Sequence, residues 1–287
     1  MNIKQTVEDT SKFTVSQNLG FDIRIVRYEE IHNISSADFS ILENIVDINN
    51  NEKILDVGAG YGAVTRELIK RNKNKNTEYF LTELSNVQLQ RAKVELPKHF
   101  GEDVTNKYVK FSMDNIVNSQ LIDNYFEKVV AKMVIHEIKQ EYQQYAINQI
   151  YRILKPNGKF IIWDIILDEG IQTLYQSIIR KKDKLAGFED LASNRYFFRK
   201  TDLEQMLQNA GFKNIKQEVF LPYKLNTHKR LETELKNDKI KLSEWNNFIR
   251  EEVNKLPGEI KTKISYCDEG ENISLIFPKA IYSAYKK

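Results

Sequence analysis

The stretch Lys53–Ala63, KILDVGAGYGA, decides the fold of this chain. Its first five residues form a short, mostly apolar run typical of a buried strand, and three glycines then stand at alternate positions. Glycine is needed where the backbone turns sharply, or where a ligand must approach the main chain without a Cβ in the way. The stretch therefore predicts a strand, a loop and a helix, with a ligand site where the strand ends.

Strand-like and helix-like segments alternate around this stretch, from about Ser36 to Phe220. Such alternation is typical of a mostly parallel sheet with helices on both faces. We therefore expect an α/β fold, a doubly wound, mostly parallel seven-stranded sheet with helical lid insertions. The predicted strands are Lys53–Val57, Glu78–Glu83, Lys107–Ser112, Lys128–Met133, Lys159–Ile166, Lys213–Phe220 and Ala280–Tyr285.

Three segments fall outside the alternation and set the expected domain organisation. Residues 1–35 are predicted to form a helical leader, and residues 36–287 a Rossmann-like domain with inserts at about 167–200 and 222–272. The first insert leaves the fifth strand at the edge where ligands bind in open α/β sheets, so we expect it to form a lid with the leader. The second insert contains an amphipathic helix whose apolar face carries Leu242, Trp245, Ile249, Val253 and Leu256.

Local signals mark several helix boundaries. Ser85 is expected to cap the helix that follows the second strand. The segment Lys155–Gly158, with its Pro and Gly, is expected to end the helix before the fifth strand. Thr201 and Glu204 have the spacing of a capping box, and the helix they begin is expected to stop near Gly211.

Composition narrows the class of protein. The chain has 287 residues, and its 43 basic and 40 acidic side chains leave a formal net charge of +3, smaller than a globally basic nucleic-acid-binding protein would show. The basic clusters Arg180–Lys182 and His228–Arg230 are interpreted as solvated helix faces.

Cys267 is the single cysteine, and neither a secretory signal in residues 1–20 nor a membrane span is evident. We expect a cytoplasmic protein without membrane association, and the sequence leaves its oligomeric state open.

The glycine loop by itself fits two cofactor classes. Glu83 ends the next strand, where a carboxylate can accept both hydroxyl groups of a ribose. Gly58–Ala63 also satisfies the dinucleotide pattern G-x-G-x-x-A, which keeps a nicotinamide-dependent oxidoreductase open as an outside alternative. Three features favour a cofactor other than a dinucleotide. Asp56 lies two places before the first glycine, the glycines alternate, and a helix precedes the first strand.

These residues resemble the class I S-adenosylmethionine-dependent methyltransferases. Ile54–Gly62 is similar to their first motif, and Phe111–Asn115, Phe126–Ile138 and Leu154–Ile162 resemble later motifs in the same order. The resemblance implies S-adenosyl-L-methionine as cofactor and S-adenosyl-L-homocysteine as product. It implies cofactor contacts from Asp56, Gly58, Ala59, Gly60, Gly62, Glu83, Leu84, Asp114, Asn115 and Ala131, with Asp114 on the adenine amino group.

Residues after the fourth and fifth strands are the candidates for chemistry. His136 is the best candidate for a general base, because the turn that carries it faces the donor methyl in this fold and imidazole titrates near neutral pH. A positioning or packing role for His136 is the alternative. Tyr28, Lys132 and Asp164 are candidate substrate contacts. Possible lid residues are Tyr196, Phe197 and Arg199, and no cluster has metal-ligand spacing.

The acceptor is not named by the sequence. Residues 131–134 lack the Asn/Asp-Pro-Pro-aromatic segment of exocyclic-amine methylases, and the large inserts favour an enclosed pocket over an open groove. We therefore expect in-line methyl transfer to O, N or C of a small-molecule substrate, with a nucleic-acid partner disfavoured. An RNA or protein methyltransferase is the alternative, and a noncatalytic cofactor-binding subunit the outside alternative.

Overall fold

The computed structural model describes residues 34–287, so most of the predicted leader lies outside the described residues. Helices are numbered from the first one described. The strands are β1 (Lys53–Val57), β2 (Glu78–Glu83), β3 (Val109–Met113), β4 (Phe126–Lys132), β5 (Leu154–Ile165), β6 (Lys213–Phe220), β7 (Tyr223–Asn226), β8 (Cys267–Asp268), β9 (Ile273–Phe277) and β10 (Lys279–Tyr285). The helices are α1 (Ser36–Val46), α2 (Ala63–Arg71), α3 (Asn86–Phe100), α4 (Glu102–Tyr108), α5 (Gln140–Ile153), α6 (Glu169–Leu185), α7 (Glu189–Asn194), α8 (Lys200–Ala210), α9 (Lys229–Thr233), α10 (Lys239–Asn254) and α11 (Gly258–Lys263).

The main sheet confirms the predicted α/β class. Its seven strands run in the order β3-β2-β1-β4-β5-β10-β6. They are parallel except β10, which is antiparallel to both of its neighbours. The chain leaves β3 at one edge and returns to β4 beside β1. Strand order therefore reverses between β1 and β4, and such a switch point opens a crevice beyond the carboxyl ends of the strands.

Helices cover both faces of this sheet. One core lies under α5 and α8, and another packs α1, α2 and α3 against the opposite face. Strands covered on both faces are buried at consecutive positions, as β1 is at 54–57 and β4 at 128–131. Ser85 caps α3 as predicted, since its side chain accepts from the Gln88 N–H.

Three strands begin two or more residues from their predicted start, the fourth at Phe126 instead of Lys128. The third strand begins at Val109 instead of Lys107, because α4 continues through Tyr108. The fifth begins at Leu154 instead of Lys159, because Lys155–Gly158 continues the strand as an irregular extension instead of ending the helix, which stops at Ile153.

The predicted capping box at Thr201 and Glu204 is wrong. Helix α8 begins two residues earlier, with Arg199 as its N-cap. The acid three places after Arg199 is Asp202, whose Oδ2 accepts the Arg199 N–H at 3.0 Å. The predicted stop at Gly211 is confirmed, with a left-handed φ of +100°.

The second predicted insert and the residues just after it form a sheet that the sequence did not indicate. Strands β7, β9 and β8 form a three-stranded antiparallel sheet in that order. The predicted amphipathic helix is present as α10, and its Trp245 Nε1 donates to the carbonyl of Ile178 in α6 at 2.9 Å. We call β7–β9 with α6, α7 and α9–α11 the accessory layer, and one apolar core joins its α6, α9, α10, β7 and β9.

Candidate cofactor and substrate site

A cleft of about 1550 Å³, its open mouth included, lies at the carboxyl edge of the main sheet. Its loop end is formed by the glycine loop, Gly58–Gly62, and by the residues that follow β2 and β3. Its far end is formed by the turn after β4 and by the accessory layer. The side chains from the accessory layer that line it include Ile179, Lys182, Tyr223, Leu225, Arg230, Glu234 and Phe277.

The glycine loop has the conformation that its composition predicts. Gly58 and Gly60 have φ of +60° and +55°, in the left-handed region that disfavours other residues. A Cβ on Gly58 would lie 2.6 Å from Cγ2 of Val134, so this glycine is required by close packing. A Cβ on Gly60 would meet no heavy atom within 4 Å, so at this residue the backbone is open to an approaching ligand.

The Glu83 carboxylate joins the end of β2 to this loop. Its Oε2 accepts the Gly60 N–H at 2.8 Å, and its Oε1 accepts the N–H groups of Leu84 and Ser85 at 2.7 and 2.9 Å. Glu83 and Leu84 both line the cleft. Glu83 therefore orients the loop, a role in addition to the predicted contact with ribose.

Asp56 supports the loop from beneath. Its Oδ2 accepts from the backbone N–H and the hydroxyl of Thr65, at 3.2 and 2.8 Å, in the first turn of α2. Burial raises the pKa of Asp56 to about 7, although the bonds from Thr65 act in the opposite direction. Asp56 lines the cleft and also holds the start of α2.

Asp114 has one oxygen engaged and one available. Its Oδ1 accepts the Gln120 N–H at 3.2 Å, whereas its buried Oδ2 has no hydrogen-bond partner within the described part of the chain. Asn115 accepts the Val117 N–H and so shapes the turn after β3. A buried carboxylate oxygen without a donor is costly, so a ligand N–H at this point would be stabilising.

His136 lies in the turn after β4 with carboxylates at both ring nitrogens. Nδ1 contacts Oδ1 of Asp164, and Nε2 lies 3.3 Å from Oε1 of Glu137. The ring stacks on Phe197, with centroids 5.2 Å apart, and is 2% exposed. Burial lowers the pKa of His136, but Asp164 and Glu137 together outweigh it and raise the pKa to about 9. The ring is therefore protonated at neutral pH, and it has no lone pair to accept a proton.

A row of buried charges continues from Glu137 along the far end. Arg195 donates to both oxygens of Glu137, at 2.7 and 2.6 Å, and to Asp183 at 2.8 Å. Lys182 then contacts Asp183 and Glu234. Arg230 donates to the second oxygen of Glu234 at 2.7 Å and ends the row. These contacts attach the accessory layer to the turn that carries His136.

Comparison with known proteins identifies the family of this chain. A family model described as a methyltransferase domain matches residues 32–217, about two thirds of the chain. This chain belongs to the class I S-adenosylmethionine-dependent methyltransferases.

Individual relatives of this methyltransferase differ in their acceptors. O-methyltransferase 3 of Dictyostelium discoideum is 25% identical over 202 residues, covering 66% of this chain and 45% of the relative. Sterol 24-C-methyltransferase of Neurospora crassa is 29% identical over 127 residues, covering 44% of this chain and 31% of the relative. The chain thus spans less than half the length of either relative. The YcgJ protein of Bacillus subtilis has the same fold, with a TM-score of 0.71 at 12% identity, covering 88% of this chain and 99% of that one.

The loop end of the cleft carries groups that suit S-adenosylmethionine, the cofactor of this family. The open backbone at Gly60, the Glu83 carboxylate and the donor-less oxygen of Asp114 lie on one lining surface. They suit the amino-acid, ribose and adenine parts of S-adenosylmethionine. Ala59 and Asn115 line the same end. Gly62 and Ala131 do not: Gly62 caps α2, and Ala131 is buried within β4 between Val57 and Ile162.

The predicted substrate contacts are placed unequally. Lys132 lines the cleft, with its ammonium 5.5 Å from the centre of the Trp163 ring. Asp164 lies behind His136 and does not line the cleft, because its oxygens are turned to His136 and to the N–H groups of Ile135 and Ile165. Tyr28 lies outside the described residues.

The possible lid residues also separate. Phe197 lines the cleft, whereas Tyr196 packs toward the main core and Arg199 caps α8. Within residues 34–287, no group of three or more His, Cys, Asp or Glu side chains could hold a metal ion. In the same range no helix is both long and apolar enough to cross a bilayer.

Lys182 and Arg230 are two residues lining the cleft that sequence reasoning missed. Each belongs to a basic cluster interpreted as a solvated face, yet the two side chains are only 3% and 5% exposed and line the cleft. Their neighbour Lys181 does face outward, where it pairs with Glu244. The sequence did carry a signal for Lys182. It continues the helical spacing of the apolar residues Ile171, Leu174 and Ile178 along α6, which places Lys182 on the buried face.

Proposed function

We propose that this chain is an S-adenosylmethionine-dependent methyltransferase whose acceptor is a small molecule held at the far end of the cleft. The observation that carries the proposal is the wall formed there by α6, β7 and β9. These elements follow the fifth strand in the chain and contribute Ile179, Tyr223 and Phe277 to the lining of the cleft. A walled cleft of this kind suits an enclosed small molecule better than a polymer lying in a groove.

The residues of the chain would act mainly by alignment. Bound S-adenosylmethionine supplies an electrophilic methyl group, and transfer is an in-line displacement that depends on position and exclusion of water. Glu83, Asp114 and the glycine loop would hold the donor. His136, fixed between Asp164 and Glu137, would hold the turn after β4 against the acceptor. We infer a positioning role for His136, because a protonated ring with both nitrogens engaged cannot accept a proton.

The acceptor atom stays open among O, N and C. The sterol and O-methyltransferase relatives named above act on carbon and oxygen according to their names, and neither decides the case here.

Tightly bound ligand stabilises a protein by mass action, so thermal unfolding tests the cofactor class directly. We expect S-adenosylhomocysteine to raise Tm and NAD to leave it unchanged. The reverse result would indicate an oxidoreductase.

Transfer of label tests the acceptor class. The protein would be incubated with S-adenosylmethionine labelled in its methyl group and with separate small-molecule, protein and RNA fractions of a cell extract. We expect label in the small-molecule fraction. Label confined to protein or RNA would overturn the proposal, and cofactor binding without transfer to any fraction would favour a noncatalytic subunit. A Gly60→Val variant, which fills the open side of the loop, serves as the inactive control.

A further inference from the structure

Every charge that lines the far end of the cleft, in the described part of the chain, has an oppositely charged partner. Four cations are paired with four carboxylates: the cations are protonated His136, Lys182, Arg195 and Arg230, and the carboxylates are Glu137, Asp164, Asp183 and Glu234. We call these eight side chains the ion-pair wall. Their formal charges balance, so the wall requires no charge from a ligand.

The ion-pair wall is buried as well as balanced. Lys182, Arg195 and Arg230 are 3%, 4% and 5% exposed, and Glu234 is 6% exposed. A charged ligand at this wall would lose its water and would find each opposite charge already engaged. Breaking a buried pair to serve the ligand would leave the displaced partner as an uncompensated buried charge. The wall therefore disfavours anions and cations alike.

Lys132 is the remaining cation among the cleft-lining residues that the structure describes. It ends β4, and its predecessor Ala131 pairs with Val57 just before the glycine loop. Its charge lowers the pKa of Asp56, in opposition to burial. Lys132 thus belongs to the loop end, and the charge balance of the far end does not include it.

The rest of the far end is apolar. Phe277 packs edge-on against Phe197, with centroids 5.7 Å apart, and stacks on Tyr223 at 5.3 Å. All three line the cleft, together with Ile165, Ile179 and Leu225. A ligand therefore gains most at this end by covering apolar surface with an apolar body.

Met133 adds an apolar side chain from the turn after β4. Its φ of +58° lies in the left-handed region, which disfavours residues other than glycine. Its N–H donates to the carbonyl of Trp163 at 2.7 Å, and its side chain packs on the core of the accessory layer and lines the cleft. Backbone strain of this kind persists where the surrounding structure imposes it, often at ligand sites. The turn that carries His136 is thus held in a conformation that contributes an apolar group to the cleft.

We propose that the acceptor of this methyltransferase is an uncharged molecule whose apolar body packs on Met133, Phe197, Tyr223 and Phe277. The inference rests on the proposed function and names the chemical class of its substrate. An electron pair of the neutral acceptor forms the bond to the methyl carbon, and the methyl–sulfur bond breaks with its electron pair returning to sulfur. A proton on the acceptor atom, where there is one, leaves to water.

Two series of matched probes test the charge preference. Hexan-1-ol, hexanoate and hexylamine share one apolar body, and naphthalen-2-ylmethanol, naphthalene-2-carboxylate and naphthalen-2-ylmethylamine share another. Each would be titrated calorimetrically at pH 7 into the protein with S-adenosylhomocysteine bound, so that the loop end is occupied. In at least one series we expect the alcohol to bind about tenfold or more tightly than both charged probes, because a buried charge without a partner costs more than a neutral polar group. Any other order in both series, or no binding by either alcohol, would overturn the proposal.

Charge variants test the balance of the wall in both directions. Glu234→Gln removes a negative charge from between Lys182 and Arg230, so this variant should gain affinity for the anion. Lys182→Met removes a cation and should gain affinity for the ammonium. Glu244→Gln and Lys181→Met are the matched controls, since these two residues pair with each other outside the cleft, and both should keep the wild-type order. The two expected shifts are opposite, so one folded variant is sufficient. An unchanged order of head groups in a folded variant would refute the role of the wall.

Two methionines test the apolar contact. Met133→Gln keeps the length of the side chain and makes it polar, so it should weaken the binding of the alcohols. Met113→Gln is the control, because Met113 is 64% exposed and does not line the cleft. Equal affinities in the two variants would remove Met133 from the acceptor site.

The two proposals fail in different ways. If the wild type did not bind S-adenosylhomocysteine, the proposed function would fail, and titrations of the probes alone would still measure the charge preference. If S-adenosylhomocysteine bound and the alcohols showed no advantage, only the uncharged class of acceptor would fail.

Discussion

The imidazole of His136 is held by Asp164, a carboxylate with no exposed surface and 28 positions further along the chain. Asp164 Oδ2 also accepts the Ile135 N–H at 3.0 Å, so one side chain at the end of β5 fixes both the ring and the turn after β4. Glu137 occupies the other ring nitrogen. These two contacts favour a protonated imidazole at the cleft, as the proposed positioning role of His136 requires.

His136→Gln should lower turnover by less than about tenfold, since loss of a general base typically costs roughly 10²–10⁴-fold. The amide of glutamine can still donate a hydrogen bond toward Asp164. The measurement is kcat/KM between pH 6 and 8, for the wild type and the variant. A loss above a hundredfold, together with a fall in rate at low pH that only the wild type shows, would identify His136 as the general base.

The stability of the protein should respond to the titration of His136. Its pKa is about 9 in the folded state against an ordinary value of 6.5. Its stabilising contribution is therefore complete below pH 6.5 and is lost as the pH rises through about 9. We expect the advantage of wild type over His136→Gln in free energy of unfolding to shrink by on the order of 3 kcal/mol from pH 6 to pH 10. Urea unfolding at several pH values measures it, and a constant difference would contradict the assignment.

Lys279 should show the opposite pH dependence. Burial, with a smaller effect from Lys132, lowers its pKa to about 7 from an ordinary value of 10.5. Its ammonium lies 4.9 Å from the centre of the Trp163 ring. A lowered pKa means that charging Lys279 destabilises the fold, increasingly as the pH falls from 10.5 to 7. We expect Lys279→Met to be more stable than wild type near pH 7, by on the order of 4 kcal/mol, and equal to it above pH 10.5. A variant less stable at pH 7 would contradict this.

Two glycines of the loop should respond differently to alanine. Both have left-handed φ, which costs roughly 1–2 kcal/mol for an L-residue. Gly58→Ala also places a Cβ against Val134, whereas Gly60→Ala points into open space. We therefore expect Gly58→Ala to be the less stable variant in chemical unfolding. Gly60→Ala should act chiefly on the affinity for S-adenosylhomocysteine. Equal stabilities would show that Val134 moves aside at no cost.

Asp114→Asn should weaken the binding of S-adenosylhomocysteine by about tenfold. A carboxylate oxygen accepts a hydrogen bond from the adenine amino group more strongly than an amide oxygen does. The remaining carbonyl oxygen can keep the bond to Gln120. S-inosylhomocysteine, which has a carbonyl in place of the amino group, is the matched ligand. Wild type should prefer the adenosyl compound, and the variant should lose most of that preference. An unchanged ratio would remove Asp114 from the adenine site.

The loop end of the site was predictable because its signals are local. Alternate glycines after an apolar run specify left-handed backbone wherever they occur, and Glu83 lies at the end of the next strand by simple spacing. What spacing could not show is that Glu83 accepts the Gly60 N–H, since that bond joins residues 23 positions apart. The boundary of α8 shows the limit of local signals. Thr201 and Arg199 each had an acid three places later, and packing selected the second.

The far end was decided by the tertiary structure alone. The sequence by itself determined the doubly wound sheet, the glycine loop after its first strand and the amphipathic face of α10, because each depends on the period of apolar residues or on the backbone freedom of glycine. Strands β7 and β9 are short and pair residues about 50 positions apart, so no local sequence pattern predicted them. Lys182 and Lys181 are identical residues in one basic run, and only the packing of Asp183 and Glu234 around the first makes it a cleft residue. A charge is stabilised inside a protein by the partners that the fold brings to it, and Glu234 is 52 positions from Lys182 in the sequence.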